Sequence, residues 1–293
     1  MKLTPTMNAF SRTETEPERT TDDPSPAGAG AGAAPAAPAK SPAPHPRDLI
    51  AGLEKGLSVI DAFDQERPRL TMSEVATLCG LTRAAARRYL ITLEHLGYVT
   101  SERRMFSLTP KVLRLGQSYM HSARLPRIVQ PELHKLAYAL KEASSAGVLD
   151  GADVICIAAT SAGRVVSATL QPGTRVPAYC TANGRVLLAA LPQEVVDDWI
   201  ALQTLAPLTP HTITHAERLR IEIARTRAQG YAAVDQELEM GMRTISVPLK
   251  NYRGEVLAAM NVCVHAARVS MEQLVDECLP ALFHAQAGLR TLL

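Results

Sequence analysis

The chain has 293 residues, 46% of them hydrophobic, and a formal net charge of +2, enough material for two modest domains with buried cores. No apolar run approaches a membrane span and the N-terminus lacks the apolar core of a signal peptide, which argues against a membrane or exported protein. Five cysteines, an odd number with no C-x-x-C pair, argue against a disulfide framework and read as the reduced thiols of a soluble cytoplasmic protein.

Residues 1–47 are rich in Pro, Ala, Gly, Thr and Glu, as in PSPAGAGAGAAPAAPAKSPAPHP from Pro24, and read as a disordered tail. Such a composition buries too little apolar surface to offset its ordering entropy. Residues 48–64 carry Leu53, Leu57, Ile60 and Phe63 at helical spacing, so the pattern predicts a first helix, ended by Pro68.

The stretch 70–108 predicts a winged helix-turn-helix. Thr71 and Glu74 form a T-x-x-E capping box that opens a short helix through Val75, Ala76 and Leu78, stopped at Gly80. Thr82 caps a second helix over 83–96, whose Ala86, Leu90, Leu93 and Gly97 share one buried face. Two short strands, 98–100 and 105–108, then flank the basic tip Ser101-Glu102-Arg103-Arg104. Two helices joined by a glycine turn suit major-groove insertion when the second starts with exposed basic residues. Arg83, Ala84 and Arg87 would face base edges, and Arg88, Arg103 and Arg104 would hold phosphates. The plainer alternative is a helical subdomain with a solvated charged face. The capping box, glycine turn, basic helix face and basic hairpin occurring together favour DNA. Charge supports this: residues 49–122 hold ten Lys/Arg against seven Asp/Glu, whereas 123–293 hold sixteen of each. The excess sits where phosphates would be neutralised. The winged domain is therefore assigned 48–109.

Pro110 opens a helix over 111–122 with Val112, Leu115 and Tyr119 on one stripe, a linker assigned to 110–125 and broken at Leu125-Pro126. From 126 to 293 the pattern predicts a helix at 131–143, strands at 146–149, 154–160 and 164–170, and helices at 185–191, 194–200 and 216–229. Strands at 231–235, 244–249 and 256–265 and a helix at 271–292 capped by Ser270 follow. Strand hairpins with helices at the ends indicate an α+β domain around an antiparallel sheet.

Two other chemistries deserve weighing. Cys180 with His211 or His215 would suggest a thiol nucleophile, but no nucleophile motif surrounds it and packing is the plainer role. His211-x-x-x-His215 has i, i+4 metal spacing with no third ligand indicated. Neither catalysis nor a cofactor or metal is expected.

The segments GLEKGLSVIDAF (52–63), LTMSEVATLCGLTRAAARRYLITLEHLGYV (70–99), GTRVPAYCTANGRVLLAALP (173–192) and RAQGYAAVDQELEMGMRTISVPLKNYRGEVLAAMNV (227–262) resemble, in order and spacing, those of the IclR family of bacterial transcriptional regulators. The phrases RAAARRYL and VDQELEMGMR are most similar to its regulators of aromatic-acid catabolism by the β-ketoadipate pathway, the protocatechuate and 4-hydroxybenzoate type. The resemblance implies a winged helix-turn-helix, a linker helix and a GAF/PAS-like effector domain. It also implies a homodimer or homotetramer that binds double-stranded operator DNA and responds to a small aromatic or aliphatic carboxylic acid. Ala85 stands where the family often has Thr or Ser, which removes one hydroxyl contact to phosphate and puts more weight on Arg83, Arg87 and Arg88.

The effector residues implied by the resemblance are Thr181, Ala182 and Asn183 before Gly184, where a helix N-terminus would suit a carboxylate, with Ala168, Val176, Asp235, Met242, Thr244, Asn261 and Cys263 around them. Each has a plainer reading: Asn183 as a cap, Cys263 as core, Asp235 as a loop holder. The alternatives to a regulator of aromatic catabolism are a metabolite sensor acting mainly through protein association and an IclR-type repressor of short aliphatic acid metabolism.

Overall fold

The computed structural model describes residues 45–64, 66–160 and 171–293. The strand expected at 164–170, Ala168 with it, and the segment 1–44 lie outside the described residues.

The N-terminal domain contains α1 (Ala51–Asp61), β1 (Leu70–Thr71), α2 (Met72–Leu78), α3 (Arg83–His95), β2 (Val99–Glu102) and β3 (Met105–Leu108). The capping box forms as the spacing requires. Thr71 N donates to Glu74 Oε2 at 2.6 Å and Glu74 N to Thr71 Oγ1 at 3.3 Å. Gly80 turns the chain at φ +61°, and Thr82 Oγ1 accepts from Ala85 N at 3.2 Å to start α3. Val59, Phe63, Val75, Ala86, Leu90 and Leu93 pack together as the core. The stripe expected on α1 is rotated: Val59 is fully buried whereas Leu53 and Leu57 are exposed. The short β1, absent from the sequence pattern, pairs with β3 through Leu70↔Phe106 and Thr71↔Met105, giving a β1-β3-β2 sheet.

After a 3-10 turn at Pro110–Val112 come α4 (Leu113–Ser122) and α5 (Arg124–Leu140). The break expected at Leu125-Pro126 falls at Ala123 (φ −73°, ψ 126°), and α5 runs straight through Pro131. Proline costs little in a first turn, which accommodates Pro126, but removes a backbone bond and adds a clash inside a helix, at about 3 kcal/mol. Val129, Leu133, Leu136 and Ala137, buried along one face of α5, hold it helical across that defect.

The C-terminal domain is built on an antiparallel sheet. Its described strands are β4 (Ala143–Asp150), β5 (Asp153–Thr160), β6 (Arg175–Pro177), β7 (Ala232–Asp235), β8 (Met242–Lys250) and β9 (Val256–His265), in the order β6-β5-β4-β9-β8-β7. One face packs against α5 and the C-terminal helix through Leu133, Ile157, Ile245, Val247, Met260 and Leu282. That last helix runs as α9 (Met271–Gln273), a π-helical turn Leu274–Cys278 and α10 (Leu279–Leu289), not as the single span expected. The other face carries α6 (Ala182–Ala189), α7 (Gln193–Ala201) and α8 (Ala216–Gln229). Strand periodicity sorts the residues: on β9, Met260 and Val262 join the first core, while Ala259 joins the second.

Candidate functional site

Two surfaces carry the chemistry. The first is on the winged domain. Burying Ala86, Leu90 and Leu93 turns the opposite face of α3 outward, so Arg83, Ala84, Arg87 and Arg88 are exposed and Ala85 is half-buried. β2 and β3 are joined by a two-residue turn, Glu102↔Met105 being the closing pair. Its central residues are Arg103 (φ 52°) and Arg104 (φ 68°), the positive φ at both positions that a type I′ turn demands. Ser101 Oγ donates to Glu94 Oε1 at 2.6 Å and ties the hairpin to α3. None of Arg83, Arg87, Arg88, Arg103 and Arg104 forms an ion pair among the described residues. Five uncommitted guanidinium groups on one helix start and one hairpin tip suit a polyanion.

The second is a pocket between the sheet and the start of α6. Its sheet side carries Ser145, Thr244 and Asn261. Asn261 Oδ1 accepts from Ser145 N at 3.1 Å and Ser145 Oγ at 2.7 Å. Apolar walls come from Val154, Val176, Val234, Leu238 and Met242. Thr181, Ala182 and Asn183 border it where α6 begins. Thr181 caps that helix: its Oγ1 accepts from Gly184 N at 3.2 Å, and its carbonyl accepts from Arg185 N at 3.0 Å. The N–H groups of Ala182 and Asn183 have no such partner among the described residues. They are donors at the positive end of a helix, the arrangement that receives a carboxylate.

Close packing holds this edge in place. A Cβ on Gly184 would lie 2.0 Å from the Ala178 carbonyl oxygen, so α6 meets the preceding turn at a distance only glycine permits. Asn183 Oδ1 accepts from Ser246 Oγ at 2.6 Å, fixing the first turn to β8.

Behind the first turn lies a buried ion pair. Arg185 Nη2 stands 2.7 Å from both Glu237 Oε1 and Oε2, with the side chains 3% and 8% exposed. Arg185 Nε is buried and has no hydrogen-bond partner among the described residues. Ile213 N also donates to Glu237 Oε2, at 3.2 Å.

Of the residues expected around an effector, Val176, Thr181, Ala182, Asn183, Met242, Thr244 and Asn261 border the cavity. Asp235 and Cys263 do not. Val234 takes the cavity-facing position of β7, and its neighbour Asp235 accepts from Arg243 Nε at 2.7 Å instead. That hydrogen bond holds the Asp235 carboxyl below the usual carboxylate range. Cys263 lies two residues past Asn261 and is 1% exposed, and burial pushes its thiol up to about 12. Ser145, Val154, Cys156, Cys180, Val234, Glu237 and Leu238 were not foreseen. The alternation of β4, β5 and β7 holds the signal for Ser145, Val154 and Val234, but only once it is known which face meets α6.

Cys180 is a wall rather than a nucleophile. Burial raises its thiol to about 12 and that of Cys156 to about 11, so both are protonated at neutral pH. Among the described residues no group of three or more His, Cys, Asp or Glu could hold a metal ion.

The profile described as "IclR helix-turn-helix domain" matches residues 52–103, and that described as "Bacterial transcriptional regulator IclR C-terminal" matches residues 117–288. The Pca regulon regulatory protein of Pseudomonas putida is 41% identical over 243 residues, covering 83% of this chain and 84% of that protein. The crystal structure of a transcriptional regulator, RHA06195, from Rhodococcus sp. RHA1 superposes with a TM-score of 0.70 at 41% identity, covering 83% of this chain and 97% of the other. The inducer-binding domain of a double mutant of the PobR transcription factor from Acinetobacter, solved with 3-hydroxybenzoic acid, is 32% identical. It superposes with a TM-score of 0.55 and covers 57% of this chain and 98% of its own.

Proposed function

The chain belongs to the IclR family of bacterial transcriptional regulators, and from that premise we propose that it controls genes of aromatic-compound catabolism, in the β-ketoadipate route, in response to a small aromatic carboxylic acid. The observation that carries the reading is the cavity at the start of α6. It offers two N–H donors, unpartnered among the described residues, beside apolar walls suited to a ring. The names of the relatives support the catabolic assignment: one regulates a pca regulon and another was solved with a hydroxybenzoate.

In this reading residues 48–109 bind DNA, 110–125 link, and 126–293 bind effector. Arg83, Ala84 and Arg87 read bases, and Arg88, Arg103 and Arg104 hold phosphates. The protein acts in the cytoplasm as a homodimer or homotetramer, since a half-site reader needs at least two recognition helices. The acid shifts a population: it changes DNA affinity only by its differential affinity for the conformations that bind operator well and poorly.

The test is thermal unfolding of the full chain with protocatechuate, 4-hydroxybenzoate, pyruvate and glyoxylate. An acid at a hundred times its Kd adds about 2.7 kcal/mol of stability. Stabilisation by an aromatic acid, which then changes binding to the regulatory DNA, supports the proposal. Stabilisation by pyruvate or glyoxylate alone replaces the aromatic assignment with an aliphatic one.

A further inference from the structure

Glu237 is unlike the rest of the cavity wall. Among the described residues it is the single carboxylate lining the cavity, and no Lys, Arg or His lines it. Its carboxylate is held in place rather than free to swing, receiving Arg185 Nη2 on both oxygens and Ile213 N on Oε2. The loop that carries it is pinned too, because Thr212 Oγ1 donates to the Glu237 carbonyl at 2.6 Å. Arg185 balances the charge, which makes the burial tolerable, but the pair is fully formed without any ligand.

A carboxylate has about four acceptor positions and no donor. Three are taken from the α6 side and from residue 213. What this group offers the cavity is therefore acceptance of a hydrogen bond, and what it repels is a second anion. The N–H groups of Ala182 and Asn183 make the opposite offer on the same cavity. One ligand satisfies both when it carries an anionic group for the helix start and a hydroxyl for Glu237.

We propose that Glu237, clamped by Arg185, is the residue that makes the cavity select a hydroxylated carboxylic acid over the same acid without its hydroxyl. This rests on the acid-effector reading above and adds the group that reads the second substituent. An analogue without the hydroxyl forgoes one hydrogen bond to a charged acceptor, which is enough to set a preference.

The experiment is calorimetric titration of the full chain with benzoate, 3- and 4-hydroxybenzoate, and the near-isosteric 3- and 4-fluorobenzoates. The preferred hydroxybenzoate is expected to bind about 10- to 100-fold more tightly than benzoate and its fluoro analogue, the range for a hydrogen bond to a charged group. The double variant Arg185→Met/Glu237→Met removes both charges together and leaves neither unpaired. It is expected to bring the preference below about 3-fold while benzoate still binds. Equal affinity of wild type for hydroxylated and fluorinated acids overturns the assignment of Glu237 and leaves the acid-effector reading standing. So does a double variant that keeps the wild-type preference. Absence of binding by every acid overturns both. If the double variant does not fold, the wild-type ratios of hydroxylated to fluorinated and unsubstituted acid decide.

Discussion

The hairpin between β2 and β3 holds two arginines in a conformation that its geometry favours and their side chains do not. Arg103 at φ 52° and Arg104 at φ 68° both sit in the left-handed region. For a residue with a Cβ that region costs roughly 1–2 kcal/mol each. Asparagine tolerates it and glycine adopts it freely, which is why Asn-Gly dominates such turns. In Arg103→Asn/Arg104→Gly the strain is relieved, less up to about 1 kcal/mol for the added freedom of glycine in the unfolded chain. The net gain is about 1 kcal/mol, or roughly a five-fold slowing of amide exchange along β2 and β3. DNA binding is expected to move the other way. Each lost phosphate contact lowers the slope of log K against log salt by about 0.9, so the double variant loses about 1.8 per protomer. Both quantities are measurable on any duplex, because the phosphate contribution does not depend on sequence. A more stable hairpin with weaker, less salt-sensitive binding confirms that strain is retained for the two charges. An unchanged salt slope refutes the phosphate role, and faster exchange in the variant refutes the strain argument.

Two glycines should respond with opposite signs to the same substitution. Gly184→Ala drives a Cβ to 2.0 Å from the Ala178 carbonyl oxygen and 2.5 Å from its Cα, so backbone must move. The expected loss, by denaturant unfolding, is about 3 kcal/mol, with acid binding lost as the start of α6 is displaced. Gly288→Ala on α10 meets nothing within 4 Å and should add about 0.5–1 kcal/mol; a loss there would count against the description of α10. The cysteines predict an alkaline limit. Burial holds Cys156 and Cys278 at about 11 and Cys180 and Cys263 at about 12, against 9.0 for an open thiol. Above about pH 9 the unfolded chain releases these protons and the folded chain keeps them, so stability should fall from there to about 11–12. At pH 8 a thiol reagent should reach only the half-buried Cys79 before unfolding; prompt labelling of Cys180 would contradict the closed wall.

What could be read along the chain is what neighbours in sequence settle between themselves. The Thr71–Glu74 capping box, the Thr82 cap, the buried stripe Ala86–Leu90–Leu93 and the bounds of α8 and β9 all depend on partners within about a turn, or on a period of two. So do the exposed arginines of α3, which follow once its apolar stripe is known. The start of α6 is indicated only by the family resemblance, and the structure begins that helix at Ala182, capped by Thr181, rather than at residue 185. The tertiary structure decided everything that depends on which surface an element meets. Leu53 and Leu57 have the right spacing to be buried, yet α1 turns Val59 inward. α5 persists through Pro131 because the sheet packs against it. Asp235 lies one residue from a cavity position, and in a strand one residue reverses the face. Glu237 joins the wall through Arg185, 52 residues away, and Ser145 meets Asn261 across 116. Local hydrogen bonds and periodicity select the elements, but the partner of each face is chosen by register and packing over distances along the chain at which sequence spacing carries no signal.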